Sequence, residues 1–255
     1  MLERIEHDRI LELKLARPPV NALNRELLTA LRSAIVSTPE QGFDGLFLSG
    51  GESVFSAGLD VPELLTLDRD ELEASWRSFF AVCQALAESP IPGVAAIGGH
   101  SPAGGAVLSL FCDYRVMVRR PEDEKPAMIG LNETQVGLVV PECIQYVFRR
   151  LVGHHTAERL LVAGAMIDAG HAFRIGMVDE LAEPGDVEDA AKRWLQSHLA
   201  LPQQAMQTTR KIVRADIVEA INDPDRLKLD VFLDAWFGKE TQAVLHGLVA
   251  RLKGG

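Results

Sequence analysis

Two short apolar segments of the chain each run directly into a glycine-rich turn, and these turns constrain how the chain can fold. Residues 45–48 lead to Gly50 and Gly51 and then to a turn of small residues over 54–60, and residues 94–97 lead to a longer turn over 98–105. Short apolar runs bounded by glycine are typical of buried strands. A turn of small residues after such a strand can expose its backbone N–H groups, so both turns are candidate binding elements.

Strand-like and helical patterns alternate around the two turns. Leu11, Leu13 and Leu15 alternate with polar residues as in a half-buried strand, and Asn24 is placed to cap the helix that follows. Apolar and aromatic residues over 72–86 recur at helical spacing, which predicts core packing rather than a cofactor site. The alternation predicts an α/β core.

After Glu133 the pattern becomes helical, because apolar residues recur at helical spacing in 187–195, 229–237 and 244–252. Pro202 provides a break before the last two of these segments. We therefore divide the chain into a core over residues 1–198 and a C-terminal helical region over residues 199–255. The apolar faces of that region are too extensive for a free tail, so we expect them to pack on the core or on a partner subunit.

Composition argues against several classes of function. The 26 Lys and Arg residues are outnumbered by 36 Asp and Glu residues, for a formal net charge of −10, which disfavours a broad nucleic-acid surface. The three cysteines are widely spaced among apolar residues without metal-ligand spacing. The start of the sequence reads directly as a strand without a presequence, and no apolar run approaches the roughly 20 residues of a membrane span. We therefore expect a cytoplasmic protein without a membrane partner.

Glu133 is the most informative titratable residue of the sequence. It lies close to Ile129, Leu131 and Val136, shortly after the second glycine turn. Apolar neighbours would desolvate its carboxyl group, which raises the pKa and makes the group a better base near neutral pH. The alternative is a solvated glutamate in a surface loop.

The second turn does not fit two familiar glycine motifs. Ser101 follows a strand as a hydrolase nucleophile does, but the next residue, Pro102, has no N–H group to help bind an oxyanion. The glycines of the turn also lack the spacing of a dinucleotide fingerprint. Two such turns can instead point two N–H groups at one carbonyl oxygen and stabilise negative charge that develops there.

Four segments along the chain resemble the ordered motifs of a known family: 55–60 (FSAGLD), 102–105 (PAGG), 112–115 (CDYR) and 130–135 (GLNETQ). On these motifs the chain resembles the crotonase, or enoyl-CoA hydratase/isomerase, superfamily, in particular its mitochondrial-type Δ3,Δ2-enoyl-CoA isomerases. The resemblance covers nearly the whole chain. It implies a spiral of ββα units with a C-terminal helical oligomerisation region that builds homotrimers or dimers of trimers.

The resemblance also implies roles for individual residues. The N–H groups of Leu59 and Gly104 would bind the oxygen of an acyl-CoA thioester, and Glu133 matches the acid/base glutamate of the family. The backbone expected along the adenine and pantetheine of CoA is that of Ala57, Gly58, Leu59 and Asp60. No metal and no separate cofactor are implied, because CoA is part of the substrate.

Val107 stands at the position where hydratases of this family have a second glutamate. Addition of water benefits from two carboxylates, whereas moving a double bond needs one base that takes a proton and returns it elsewhere. We therefore expect an isomerase that converts 3-enoyl-CoA to 2-trans-enoyl-CoA in fatty-acid oxidation. The alternatives are another acyl-CoA enzyme of the family, such as a hydratase, and a CoA-binding protein without catalysis.

Some features depart from the pattern of the family. The acidic segment around 122–126 lengthens the chain just before Glu133 and leaves the acyl-chain preference open. His100 stands where relatives often have a small residue, and we expect it to have a structural role. Arg17, Lys211 and Lys253 are candidates for binding the CoA phosphates, although a solvated charge is the simpler interpretation of each.

Overall fold

The structure is a computed structural model that describes residues 1–253. Its strands are β1 (Leu2–His7), β2 (Ile10–Leu15), β3 (Gly45–Ser49), β4 (Gly93–Ile97), β5 (Ser101–Pro102), β6 (Tyr114–Val118), β7 (Met128–Gly130), β8 (Ile167–Asp168) and β9 (Glu180–Ala182). Its α-helices are α1 (Arg25–Ser37), α2 (Val61–Leu64), α3 (Arg69–Glu88), α4 (Gly104–Leu110), α5 (Glu142–Val152), α6 (His154–Ala163), α7 (Ala169–Arg174), α8 (Val187–Leu199), α9 (Gln203–Val213), α10 (Ala215–Asn222), α11 (Pro224–Leu227), α12 (Leu229–Trp236) and α13 (Lys239–Lys253). No described helix is both long and apolar enough to cross a membrane.

The main sheet has six strands in the order β1-β2-β3-β4-β6-β9. β1 and β2 are antiparallel, and the other neighbouring pairs are parallel. Every residue of β3 and β4 is buried, as the two apolar segments before the glycine turns predicted. The predicted cap of α1 is also confirmed, because the side chain of Asn24 accepts a hydrogen bond from the N–H of Leu27 at 3.0 Å.

The prediction that β2 is half-buried was wrong at Glu12. This residue is only 6% exposed, although the alternation of the strand places it on the polar face. Its carboxylate accepts a hydrogen bond from the hydroxyl of Ser49 at 2.5 Å and lies 2.8 Å from Nε2 of His7. A carboxylate can be buried when such partners are present, and here they come from the two neighbouring strands.

The sequence also predicted only helices after Glu133, whereas the main sheet gains another strand there. β9 pairs in parallel with β6, with Val116 opposite Glu180. The strand has three residues, which is too short to produce a recognisable alternation. Its place in the sheet is therefore set by tertiary packing.

A second, three-stranded sheet positions the candidate site. Its order is β5-β7-β8, and β5 runs parallel to β7 with Ser101 opposite Ile129 and Pro102 opposite Gly130. β5 belongs to the second glycine turn, and β7 leads directly to Glu133. The pairing of these two short strands therefore brings the turn and the glutamate together.

The C-terminal helices pack on the core of the same chain. α10 contacts α3 and α5, α12 contacts α3, and α13 contacts α2 and the 3-10 turn Glu133–Val136. The expected packing on the core is confirmed for Phe232, Leu233, Trp236 and Leu245, which are buried, whereas Val231 and Phe237 remain exposed. The division at residues 198 and 199 and the oligomeric state both remain predictions.

Asp113 anchors the C-terminal region to the sheet. Its two carboxylate oxygens each lie 2.8 Å from a nitrogen of Arg210 in α9, and one of them lies 3.2 Å from Nη1 of Arg214. It also accepts a hydrogen bond from the N–H of Gly93 at 2.8 Å. The segment 112–115, which the sequence singled out without a chemical role, thus has a structural one.

Replacing Asp113 with alanine should lower the free energy of unfolding by roughly 3–5 kcal/mol, because two largely buried guanidinium groups lose their common partner. Urea unfolding near pH 7 measures this change. Asp234→Ala is the matched control, because Asp234 pairs with Arg69 on the surface with 74% of its side chain exposed, and it should change stability by less than about 1 kcal/mol. Equal effects of the two substitutions would contradict the anchoring role.

Candidate active site

The first glycine turn and the segment after it lie directly against the second turn. The N–H of Phe55 donates to the carbonyl oxygen of His100, and the N–H of His100 donates to that of Ser53, both at 2.9 Å. The approach is close enough that a Cβ atom on Gly99 would lie 2.2 Å from the carbonyl carbon of Ser53. The absence of a side chain at this position is therefore a packing requirement.

Gly58 and Gly104 bring two backbone donors to one place. Gly58 has a φ of +83°, and a Cβ atom on it would lie 2.9 Å from the nitrogen of Gly104. A Cβ atom on Gly104 would lie 3.3 Å from the nitrogen of Leu59. Within residues 1–253, neither the N–H of Leu59 nor that of Gly104 donates a hydrogen bond to a protein acceptor. Both donors are therefore free to bind another group.

Neighbouring strands and segments fix the direction of both donors. Leu23 donates its N–H to the carbonyl oxygen of Gly58 at 2.8 Å and accepts a hydrogen bond from the N–H of Asp60 at 3.2 Å, so it holds the Leu59 peptide on both sides. Ala103 has an unusual φ of +46° immediately before α4. Its N–H donates to the carbonyl oxygen of Gly130 at 2.8 Å, which holds this strained residue in place.

Glu133 is a buried carboxylic acid at the start of the turn Glu133–Val136. The residue is 9% exposed. Burial raises the pKa of its carboxyl group to about 7, although a hydrogen bond from its own backbone N–H lowers this pKa. Its Oε2 atom has no hydrogen-bond partner among the described residues. The predicted rise in pKa is confirmed, and the surface-loop alternative is excluded.

These groups line one cavity of about 560 Å³. Its wall includes Glu133 and both N–H donor residues, Leu59 and Gly104. Asp60 and Arg17 also line it, and they form an ion pair in which Nη2 lies 2.6 Å from Oδ2. Among the described lining residues, Glu133 is thus the one carboxylate without a cation partner.

Most of the remaining wall is apolar. Val107 is 1% exposed and lines the cavity near these polar groups. Trp76 of α3 also lines it, and its ring lies 4.2 Å, between centroids, from that of Phe232 in α12. The aromatic cluster of α3 therefore does more than pack in the core, which the helical spacing alone did not reveal. The contribution of α12 was missed because it depends on contact between distant parts of the chain.

The last helix also contacts the turn that carries Glu133. The hydroxyl of Thr241 in α13 donates to the carbonyl oxygen of Gly137 at 2.8 Å. Gly137 ends the turn with a φ of +79°, and the N–H of Leu138 donates back to the carbonyl oxygen of Glu133 at 3.0 Å. A C-terminal element of the same chain thus stabilises the position of the buried acid.

Of the residues predicted to bind CoA, most line the cavity. Ala57, Leu59 and Asp60 line the cavity, whereas Gly58 lies against Gly104. The acidic segment 122–126 is exposed and does not contribute to the described wall.

Other residues that the sequence singled out lie away from the wall or are already paired. Nδ1 of His100 accepts a hydrogen bond from the N–H of Met128 at 3.1 Å, which is a structural role. Lys211 is exposed on α9, away from the cavity. The side chain of Lys253 lies outside the described part of the chain. Arg17 is paired with Asp60 rather than solvated.

One free carboxylate, two unengaged backbone N–H groups and an apolar wall define a site for acid/base chemistry beside a carbonyl group. The family model described as enoyl-CoA hydratase/isomerase matches residues 6–250. The chain belongs to this enoyl-CoA hydratase/isomerase family, whose members act on acyl-CoA thioesters, and the expected crotonase-like α/β fold is confirmed.

Individual relatives differ in the reaction that their names give. Human mitochondrial enoyl-CoA delta isomerase 1 is 32% identical over 204 residues, which cover 79% of this chain and 66% of the human protein. A probable enoyl-CoA hydratase of Mycolicibacterium paratuberculosis is 34% identical over 243 residues, which cover 92% of this chain and 91% of that protein. The crystal structure of human mitochondrial delta3-delta2-enoyl-CoA isomerase has a TM-score of 0.91 at 29% identity and covers 99% of this chain and 98% of its own.

The buried Glu133 should make the stability of the protein depend on pH. Its pKa of about 7 in the folded state lies above the ordinary value of 4.5, so the folded state binds more protons between these values and stability falls as pH rises through this window. Glu133→Gln removes the ionising group. We expect the variant to be more stable than the wild type by about 3 kcal/mol at about pH 8 and by less than about 1 kcal/mol at about pH 5.

Urea unfolding of both proteins at the two pH values measures this difference. The control is Glu158→Gln on the exposed surface of α6, which should leave the pH dependence unchanged. A Glu133→Gln variant that gains no stability at the higher pH would show that ionisation of Glu133 does not destabilise the folded protein.

Proposed function

We propose that this protein is a Δ3,Δ2-enoyl-CoA isomerase, which converts 3-enoyl-CoA thioesters to 2-trans-enoyl-CoA. The observation that carries the proposal is the presence of Glu133, as a single unpaired carboxylate, in one cavity with the free N–H groups of Leu59 and Gly104. In this proposal CoA is part of the substrate and no separate cofactor takes part.

The proposed mechanism uses one base twice. The thioester oxygen accepts hydrogen bonds from the N–H groups of Leu59 and Gly104. Ionised Glu133 takes a proton from C2, and the electron pair of that C–H bond moves onto the thioester as an enolate that the two N–H groups stabilise. The protonated Glu133 then delivers a proton to C4, while the double bond moves from C3–C4 to C2–C3. No atom is gained or lost.

The pKa of Glu133 suits both steps. A base with a pKa of about 7 is substantially ionised at neutral pH and, once protonated, is a competent acid. The same burial that raises the pKa keeps the proton away from bulk water between the two transfers. A solvated glutamate would be a weaker base and would exchange its proton readily.

Val107 supports isomerisation over hydration. Hydration of a double bond requires a water molecule that is oriented and deprotonated, and a second carboxylate would provide this. At position 107 the cavity instead presents a buried apolar side chain. The hydratase alternative is favoured by the similarity to a probable enoyl-CoA hydratase, and it differs from the proposal in yielding 3-hydroxyacyl-CoA.

Two further parts of the proposal follow from the family resemblance. We propose a role in fatty-acid oxidation, and assembly into homotrimers or dimers of trimers. A CoA-binding protein without catalysis is the remaining alternative, and it would bind CoA without turnover.

Purified protein should convert 3-cis- or 3-trans-enoyl-CoA of short or medium chain to the conjugated thioester without forming 3-hydroxyacyl-CoA. Glu133→Gln should lower kcat by about 10²- to 10⁴-fold, because the amide cannot accept the C2 proton, while CoA binding is retained. Absorbance of the conjugated product and chromatography of the acyl-CoA products measure both results, with Glu158→Gln as the control. Hydroxyacyl-CoA as the main product would favour the hydratase, and an active Glu133→Gln variant would exclude Glu133 as the base.

The pH dependence of kcat/KM should report the ionisation of Glu133 in the free enzyme. Because the base must be ionised, kcat/KM should rise about tenfold per pH unit below about pH 7 and become constant above it. Initial rates at low substrate concentration from about pH 5 to about pH 9 measure the profile. A profile that is nearly constant from about pH 5 upward, as the ordinary glutamate pKa of 4.5 would give, would contradict a buried base.

A further inference from the structure

The ion pair between Arg17 and Asp60 lines the same cavity as the two free N–H donors and has no role in the proposed proton transfer. Nη2 of Arg17 lies 2.6 Å from Oδ2 of Asp60, and their side chains are only 26% and 12% exposed. Both residues line the cavity. Asp60 directly follows Leu59, so the pair is adjacent in the chain to one of the donors.

Arg17 is held by two further contacts. Its Nη1 donates to the carbonyl oxygen of Ala22 at 3.0 Å, and its backbone N–H donates to Oδ1 of Asn21 at 2.9 Å. The other carboxylate oxygen of Asp60 accepts a hydrogen bond from the N–H of Glu63 at 3.1 Å. The pair therefore joins the segment before α1 to the start of α2, at the residue that follows Leu59.

The positive charge of Arg17 and the negative charge of Asp60 would have opposite effects on negative charge that develops in the cavity. Negative charge on a bound carbonyl oxygen would develop at the N–H of Leu59, in the cavity that Asp60 also lines. Like charges in a partly buried site repel more strongly than in water. Arg17 cancels the charge of Asp60, so loss of Arg17 alone leaves an unpaired carboxylate in the wall of the cavity in which that charge develops. Loss of both side-chain charges does not.

We propose that Arg17 is a positioning residue for the oxyanion site, which acts through Asp60 by fixing the Leu59 peptide and neutralising the carboxylate. This inference rests on the proposed function, because it assigns the Leu59 N–H to a thioester oxygen. It differs from a role in binding the CoA phosphates. Both terminal nitrogens of Arg17 already donate to protein oxygens, at Asp60 and Ala22.

The test compares Arg17→Met, Asp60→Asn and the double variant on two substrates, a 3-enoyl-CoA and the matching 3-enoyl-pantetheine thioester, which has no nucleotide phosphates. Asparagine can still cap α2.

We expect Arg17→Met to lower kcat by about 10- to 100-fold on both substrates with little change in KM. Asp60→Asn in the Arg17→Met background should recover at least about tenfold. Arg69→Met is the control, because Arg69 forms an exposed ion pair with Asp234, and it should retain wild-type kcat.

Two results would overturn the proposal. A loss confined to the CoA thioester and expressed in KM would assign Arg17 to the phosphates. A double variant that is no more active than Arg17→Met would show that the unpaired charge of Asp60 is not the cause. Thermal melts of all variants separate either result from unfolding.

A second measurement does not depend on turnover. Acetoacetyl-CoA forms an enolate with a distinct ultraviolet absorbance, and an oxyanion site should increase its enolate fraction when it binds. We expect Arg17→Met to reduce that fraction at least about threefold, and the double variant to restore it. A wild type that binds the enolate without isomerising 3-enoyl-CoA would contradict the proposed function and leave the role of Arg17 supported. An enolate fraction unaffected by Arg17→Met, or no enolate with the wild type, would overturn the inference.

Discussion

The close approach of two backbone segments at Gly58 and Gly104 is the constraint on which the candidate site depends. A side chain at Gly58 would collide with the nitrogen of Gly104, and one at Gly104 would crowd the nitrogen of Leu59. The segments stay together because the N–H of Phe55 donates to the carbonyl oxygen of His100 and the N–H of His100 donates to that of Ser53, while Leu23 holds the Leu59 peptide on both sides. Two unengaged N–H groups in one cavity are the direct result.

The buried Glu133 opposes stability at the pH at which it would work. Its pKa of about 7 means that the ionised form is disfavoured by burial, which near neutral pH costs about 3 kcal/mol or less. Neighbouring contacts hold the carboxylate in place nonetheless. The pairing of β7 leads the chain to it, and Thr241 of α13 binds the end of its turn. Buried acids of this kind are characteristic of sites that move protons.

Local sequence patterns predicted much of the fold and the principal site residue, but they could not predict contacts between residues that are distant in sequence. The apolar runs at β3 and β4 and the cap at Asn24 depend on near neighbours in the chain, and the apolar sequence neighbours of Glu133 were enough to predict its desolvation. The burial of Glu12, the edge strand β9 and the pairing of Arg17 with Asp60 depend on residues that are distant in sequence. The same limit explains why Phe232 was not recognised as part of the cavity wall.

The most direct test of a single buried base follows a label through the reaction. A 3-enoyl-CoA that carries deuterium at C2 is converted in ordinary water, and the product is analysed for deuterium at C4 by NMR and mass spectrometry. If Glu133 shuttles the proton while shielded from solvent, a substantial share of the 2-trans-enoyl-CoA molecules should carry deuterium at C4. Complete loss of the transferred label to water, or its loss together with formation of 3-hydroxyacyl-CoA, would contradict a single shielded base.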